Sequence, residues 1–274
     1  MVRRRLNSRP PGRLRLYVVT GAIALAAAAC SAILIAIALA QEAPSWWHSR
    51  DWAAPQVGQS ATALENRLMS AIYQARPPAS TGADPDEPIT WTVPISAADA
   101  NAWLNARMPK WLRNQSQTFE WPEQVEELQV EFRDDVILVG MKIRYADSSQ
   151  FISATLQPAI READGSLWMP ATVVSVGRLP LPASWVLSEQ TGRFPEESIP
   201  EELRNLPETR SLAAVFSGRI PAAQSPVIKL ADGRRVRLLS LTSKGGMLEM
   251  TCRTEQRPPS SGARSGSAAA GTME

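Results

Sequence analysis

His48 is the single histidine of this 274-residue chain, and it lies among tryptophans, Trp46, Trp47 and Trp52. Imidazole is the usual base beside a serine or cysteine nucleophile and a common zinc ligand. With one imidazole, placed ahead of the main body of the chain, a Ser-His-Asp or Cys-His site within the domain is excluded. A zinc site built from Cys and His is excluded for the same reason. Carboxylates offer more, at Asp134-Asp135, Glu196-Glu197 and Glu201-Glu202. Each pair reads as a turn or a helix start, where acids complement the positive end of a helix. Asp84, Asp86 and Glu87 fall in a linker-like stretch with nothing to order a cation site. No G-x-x-x-x-G-K-[ST] or G-x-G-x-x-G phosphate loop occurs. The expectation is a non-enzyme without metal or cofactor.

The elements around these residues begin with an anchor. The formal charge is +2, of which the six arginines of residues 1–15 hold +6, so the remainder carries −4. A nucleic-acid-binding domain would carry its basic surface on the fold, so nucleic acid is not an expected partner. Residues 16–40 contain no charge. At about 1.5 Å per residue, a helix of that length crosses a hydrocarbon core of roughly 30 Å. Cationic flanks resist translocation, so the basic arm 1–15 should stay cytoplasmic and the rest should lie outside the cell membrane. Trp46, Trp47 and Trp52 then fit the headgroup layer. Ala38-Leu39-Ala40 fits a signal-peptide cleavage site, but the apolar run is longer than a usual signal core, so a retained single-pass anchor is expected. Cys30 lies inside the run and Cys252 near the end of the domain. No intramolecular disulfide is expected, and Cys252 reads as a small apolar strand residue.

Residues 41–88 comprise a juxtamembrane helix and a linker. In 60–76, Ala61, Leu64, Leu68, Ile72 and Ala75 repeat at helical spacing. That stripe could lie on the membrane, pair with a copy of itself, or pack on the domain. Residues 77–88 are a linker by composition. The domain spans 89–255, and 256–274 form a tail too polar and flexible in composition to build a core. Within the domain, "ISAADANAWLNARM" reads as a helix capped by Ser96, with Ala100, Trp103, Leu104 and Met108 on one face and Pro109 at its end. Leu128, Val130 and Phe132 alternate with Gln129 and Glu131, and Met141, Ile143 and Tyr145 with Lys142 and Arg144, which predicts strands with one wet face. Short connections predict an antiparallel meander through residue 177, with Pro158 and Pro170 at edges, ends or bulges. Asp232-Gly233 and Gly245-Gly246 predict two more hairpin turns.

One connection is unusual. "VVSVGRLPLPASWVL", 173–187, sets Leu179 and Leu181 before Pro180 and Pro182. Each proline pushes its predecessor out of the helical region, so the leucines are held extended. Pro182 then suits the first turn of a helix carrying Trp185. Leu179, Leu181 and Trp185 either plug a core or rim an apolar, lipid-sized cleft.

Ser175 to Leu179, continued by Pro182 and Ser184 to Leu187, resembles the YpmS-like family of bacterial membrane-anchored proteins. "ISAADANAWLN" and the strand pair from Val130 to Tyr145 add to the likeness. The resemblance implies a domain similar to the lipid-binding TULIP type: α+β, with a strongly curved antiparallel sheet packed on one long helix over an apolar cleft. A longer excursion at about 193–215 and a longer linker depart from the family pattern. The expected function is a non-catalytic envelope protein that binds lipid or another apolar ligand at Leu179, Leu181 and Trp185. The alternative is a structural or adaptor subunit docking on a partner envelope protein through the 60–76 helix and the 193–215 excursion.

Overall fold

A computed structural model describes residues 12–74, 89–115, 120–145, 148–187 and 207–255. The linker 77–88, residues 1–11 of the basic arm, the first part of the excursion with its glutamate pairs, and the tail lie outside the described residues. Helix α1 runs from Gly12 to Gln41, and its window Ala24–Gln41 has a mean hydropathy of 2.2 with none of it buried. Helix α2, Pro55–Tyr73, starts earlier than the apolar stripe suggested, because Pro55 suits a first turn. Of the three fates open to that stripe, packing on the domain is the one realised. Val57, Ala61 and Leu64 are buried, so α2 belongs to the folded unit, which does not begin at Ile89.

Strand β1, Ile89–Ser96, leads into α3, Ala97–Ala106. Ser96 Oγ accepts from the Asp99 amide at 3.1 Å, the expected cap. The helix breaks at Arg107, and α4, Met108–Gln115, takes Pro109 into its first turn. The buried residue of α3 is Ala102, because α2 covers a second side of the helix.

The meander consists of β2 (Val125–Arg133), β3 (Val136–Tyr145), β4 (Ser148–Leu156), β7 (Ala171–Val176) and β8 (Leu179–Pro182), all antiparallel neighbours in that order. A small hairpin of β5 (Ala159–Ile160) and β6 (Leu167–Trp168) interrupts it, with Pro158 and Pro170 at the breaks. After β8 come the short helix α5 (Ala183–Val186) and then α6 (Pro207–Phe216). Strands β9 (Val227–Lys229), β10 (Arg235–Lys244) and β11 (Met247–Glu255) follow, turning at Asp232-Gly233 and Gly245-Gly246.

The strands therefore form two main sheets where one curved sheet was expected. The division arises because β1 pairs with β11 rather than β2, giving a second sheet ordered β1-β11-β10-β9. The α+β, antiparallel class stands. No described helix of the domain is longer than α2, which packs on α3 and against apolar side chains of both sheets.

Period-two alternation builds the core. Phe132 faces Ile137, Val139 faces Ala154, and Ala154 faces Val174, so the central part of one face of the five-stranded sheet is apolar. Leu64, Ile95, Leu156 and Ala183 complete that cluster. Burying each large side chain stabilises by about 1.5–3 kcal/mol. The exposed edge at β2 is closed by α3. Asn101 donates to the Val130 carbonyl at 2.9 Å and accepts from its amide, and Asn105 treats Leu128 the same way at 2.7 and 3.0 Å. Two asparagines one turn apart thus act as a short mock strand.

Candidate functional site

The 173–187 segment is a hairpin followed by one helical turn. Val176 pairs with Leu179, leaving Gly177-Arg178 as a two-residue turn, and Gly177 takes a φ of +57°. Glycine at the first position of such a turn is the arrangement that matches strand twist. Leu179 and Leu181 lie opposite Val176 and Val174, on the core-facing side, and are half-buried. Pro180 and Pro182 are exposed on β8, an edge strand, where a missing N–H is tolerated and blocks further pairing. Trp185 is 66% exposed. The three residues expected to share a cleft therefore do not converge: two finish a core edge and one faces outward.

The hairpin holds something else. A side chain on Gly177 would come within 2.5 Å of the Leu39 carbonyl oxygen and closer still to that of Ala40. The Arg178 amide donates to the Leu39 carbonyl at 2.8 Å, and its guanidinium donates to Ala43 O at 3.0 Å and pairs with Glu42 at 2.7 Å. Carbonyls at a helix C-terminus lack intrahelical partners and favour a nearby cation. The turn supplies both, so the end of α1 is capped by the domain.

From there residues 42–54 run across the outer face of the five-stranded sheet. Trp46 and Trp47 lie over Gly140, where a Cβ would meet both indoles at 3.0 Å, and Trp47 packs edge-on against Phe151 at 5.1 Å. The next strand grips the chain. His48 N–H donates to Gln129 Oε1 at 3.0 Å, and Gln129 Nε2 donates to His48 O at 2.5 Å and to Glu127. This corrects two expectations. Trp46, 7% exposed, packs on the sheet and has little ring left for headgroups. The face read as wet is covered, with Gln129 only 2% exposed. The missed signal is a row of small or polar residues, Gln129, Gly140, Ser153 and Ser175, at successive register positions, which makes a trough for indoles. Trp52 is half-buried against Val57, Ala61 and Ala102.

A cavity of about 330 Å³ lies between the C-terminal half of α2 and the four-stranded sheet. Leu68 and Ile72 of α2, Trp91 and Val93 of β1, Val236 and Leu238 of β10, and Met250 and Cys252 of β11 wall it, with residues 225–228 closing one side. The lining is apolar apart from Ser225. The Trp91 indole N–H is already donated to Thr254 Oγ1 at 2.9 Å. Leu179, Leu181 and Trp185 are not among the lining residues. The apolar stripe of α2 was legible in the sequence; the sheet face it would meet was not.

Charged pairs fix the helix that forms this wall. Arg234 donates to Tyr73 O at 3.0 Å and Gln74 O at 3.3 Å, fastening the end of α2 to the β9–β10 turn. Its hydrogen bond to Asp232 holds that carboxyl below the usual range. Glu65 accepts from Arg107 at 2.7 and 3.1 Å and from the Trp103 indole at 2.9 Å. The Arg107 hydrogen bond is the largest influence on Glu65 and, with Trp103, keeps its carboxyl low against the opposing effect of burial.

Comparison with protein-family models, curated proteins and solved structures finds no match. The acid pair within the described residues has a structural task. Asp135 N–H donates to Ser243 O at 2.8 Å and Asp134 Oδ1 accepts from Gly245 N–H at 3.3 Å, so the β2–β3 turn joins the β10–β11 turn.

Proposed function

We propose that this chain is a non-catalytic, single-pass envelope protein that takes up lipid or another apolar ligand in the cavity between α2 and the four-stranded sheet. The cavity carries the reading. Ligand sites are concave, mostly apolar, and commonly about 300–1,000 Å³, and this one is about 330 Å³ with an almost wholly hydrocarbon wall. In this reading α1 is retained in the cell membrane with its N-terminus cytoplasmic, and the domain is extracytoplasmic. The likeness to the YpmS-like family and the lipid-binding TULIP type belongs to the same proposal, although the ligand site moves from Leu179, Leu181 and Trp185 to the cavity.

An adaptor role is the second reading, and Leu212 on α6 and Ile220 just beyond it, both exposed, favour it. One experiment separates the two. The full chain is purified from membranes, bound molecules are extracted and weighed, and uptake of a fluorescent fatty acid is compared with Ile72→Trp. Ligand binding predicts an apolar molecule in the extract and uptake lost in the variant at unchanged melting. No apolar molecule and no uptake by the parent would leave the adaptor reading.

A further inference from the structure

Taking α1 as a membrane span, as proposed above, we infer that the β7–β8 hairpin is a membrane-contact surface seated among the lipid headgroups, and that the domain does not hang on a free tether. The depth follows from the helix. Ile33, Leu34, Ile35 and Ile37 are all more than half exposed, so among the described residues no part of the domain covers them, and in a membrane hydrocarbon does. Three residues later Ala40 touches Gly177. At about 1.5 Å per residue that is about 4.5 Å along the helix. The headgroup region on each side of a roughly 30 Å core is about 5–7 Å deep. The Gly177-Arg178 turn therefore falls inside it.

The attachment is stiff. The Leu39 carbonyl is held by the Arg178 amide, Glu42 and Ala43 by its guanidinium, and Trp46 and Trp47 by the sheet behind. Between α1 and α2 the chain is fastened in turn to the β7–β8 turn, β3 and β4, and β2. Register adds the orientation. Phe151 O accepts from Gly177 N–H at 2.7 Å, so the β7–β8 turn lies toward the end of the sheet where β3 finishes and β4 starts, the end nearest α1. The β2–β3 turn at Asp134 lies at the opposite end. Arg178, half exposed, is long enough to keep its charge in the headgroup layer while its stem lies against the anchor.

The test uses the full chain, with Cys30 and Cys252 replaced by serine and alanine, in nanodiscs containing headgroup-nitroxide lipid. An environment-sensitive fluorophore is attached to Pro180→Cys or to Asp134→Cys, both exposed positions. Quenching at 180 is expected to exceed that at 134 several-fold. A six-residue Gly-Ser insertion between Gln41 and Glu42, combined with Gly177→Ala to break the Leu39 and Ala40 contacts that precede it, is expected to remove the difference. Equal quenching at both positions in the parent, or a difference that survives the combined change, overturns the seating while the anchor reading stands. A chain that fails to enter nanodiscs overturns both.

Discussion

Leu64→Ala is the sharpest test of whether α2 belongs to the fold. Leu64 is 4% exposed and sits in the cluster with Ile95, Phe132 and Leu156, against two sheets. The substitution removes three carbon groups, about 2.4 kcal/mol at about 0.8 kcal/mol each. Strands paired on both sides relax little, so a void remains and adds to the loss. The total should fall in the upper part of the about 2–5 kcal/mol range for buried leucines. Domains are commonly stable by about 5–15 kcal/mol, so such a loss is easily resolved. Urea titration of residues 42–255, followed by tryptophan emission, reads it as a lower midpoint at constant slope. A loss under about 0.5 kcal/mol would mean that α2 lies off the domain and that the cavity loses one wall.

Three further outcomes follow from the same contacts. Gly140→Val should dislodge Trp46 and Trp47, seen as a red shift in tryptophan emission and faster protease cleavage between residues 42 and 54; an unshifted spectrum would refute the packing. Asn101→Ala should cost about 1–3 kcal/mol, because the Val130 amide and carbonyl lose their partner, and hydrogen exchange at Val130 should quicken while exchange at Val139 holds. The Glu65 carboxyl is depressed in the fold. Its stabilising effect is therefore present above its unfolded value, near 4.3, and lost as pH falls through its lower folded value. Glu65→Gln should flatten that acid limb of the stability curve, and an identical limb in both proteins would show the pair to be inert.

Local pattern made much of this fold legible. Ser96 caps α3, the apolar residues of β2 and β3 alternate, and two Gly-containing pairs mark the last hairpins. What escaped were long-range choices that spacing does not encode. Nothing in Ile89–Ser96 says that it pairs with β11, yet that pairing splits the strands into two sheets. Trp46 and Trp47 beside an apolar helix look like headgroup residues until Gly140 is found beneath them. Nothing in the spacing around Gly177 shows that its missing side chain makes room for the end of α1 at Leu39 and Ala40. Leu68 and Ile72 formed a visible stripe, and only the opposing strands turn that stripe into a cavity wall.

Trp91 lines the cavity and provides the most direct test of ligand uptake. The chain has nine tryptophans, so the quantity to measure is the emission that the parent loses and Trp91→Phe does not. A fatty acid brominated midway along its chain is titrated into both proteins, with Ile72→Trp as the filled-cavity control. The proposed function predicts saturable quenching in the parent, markedly smaller quenching in Trp91→Phe, and little specific quenching in Ile72→Trp. Equal quenching in parent and Trp91→Phe, or none in either, would contradict a lipid-binding cavity at this place.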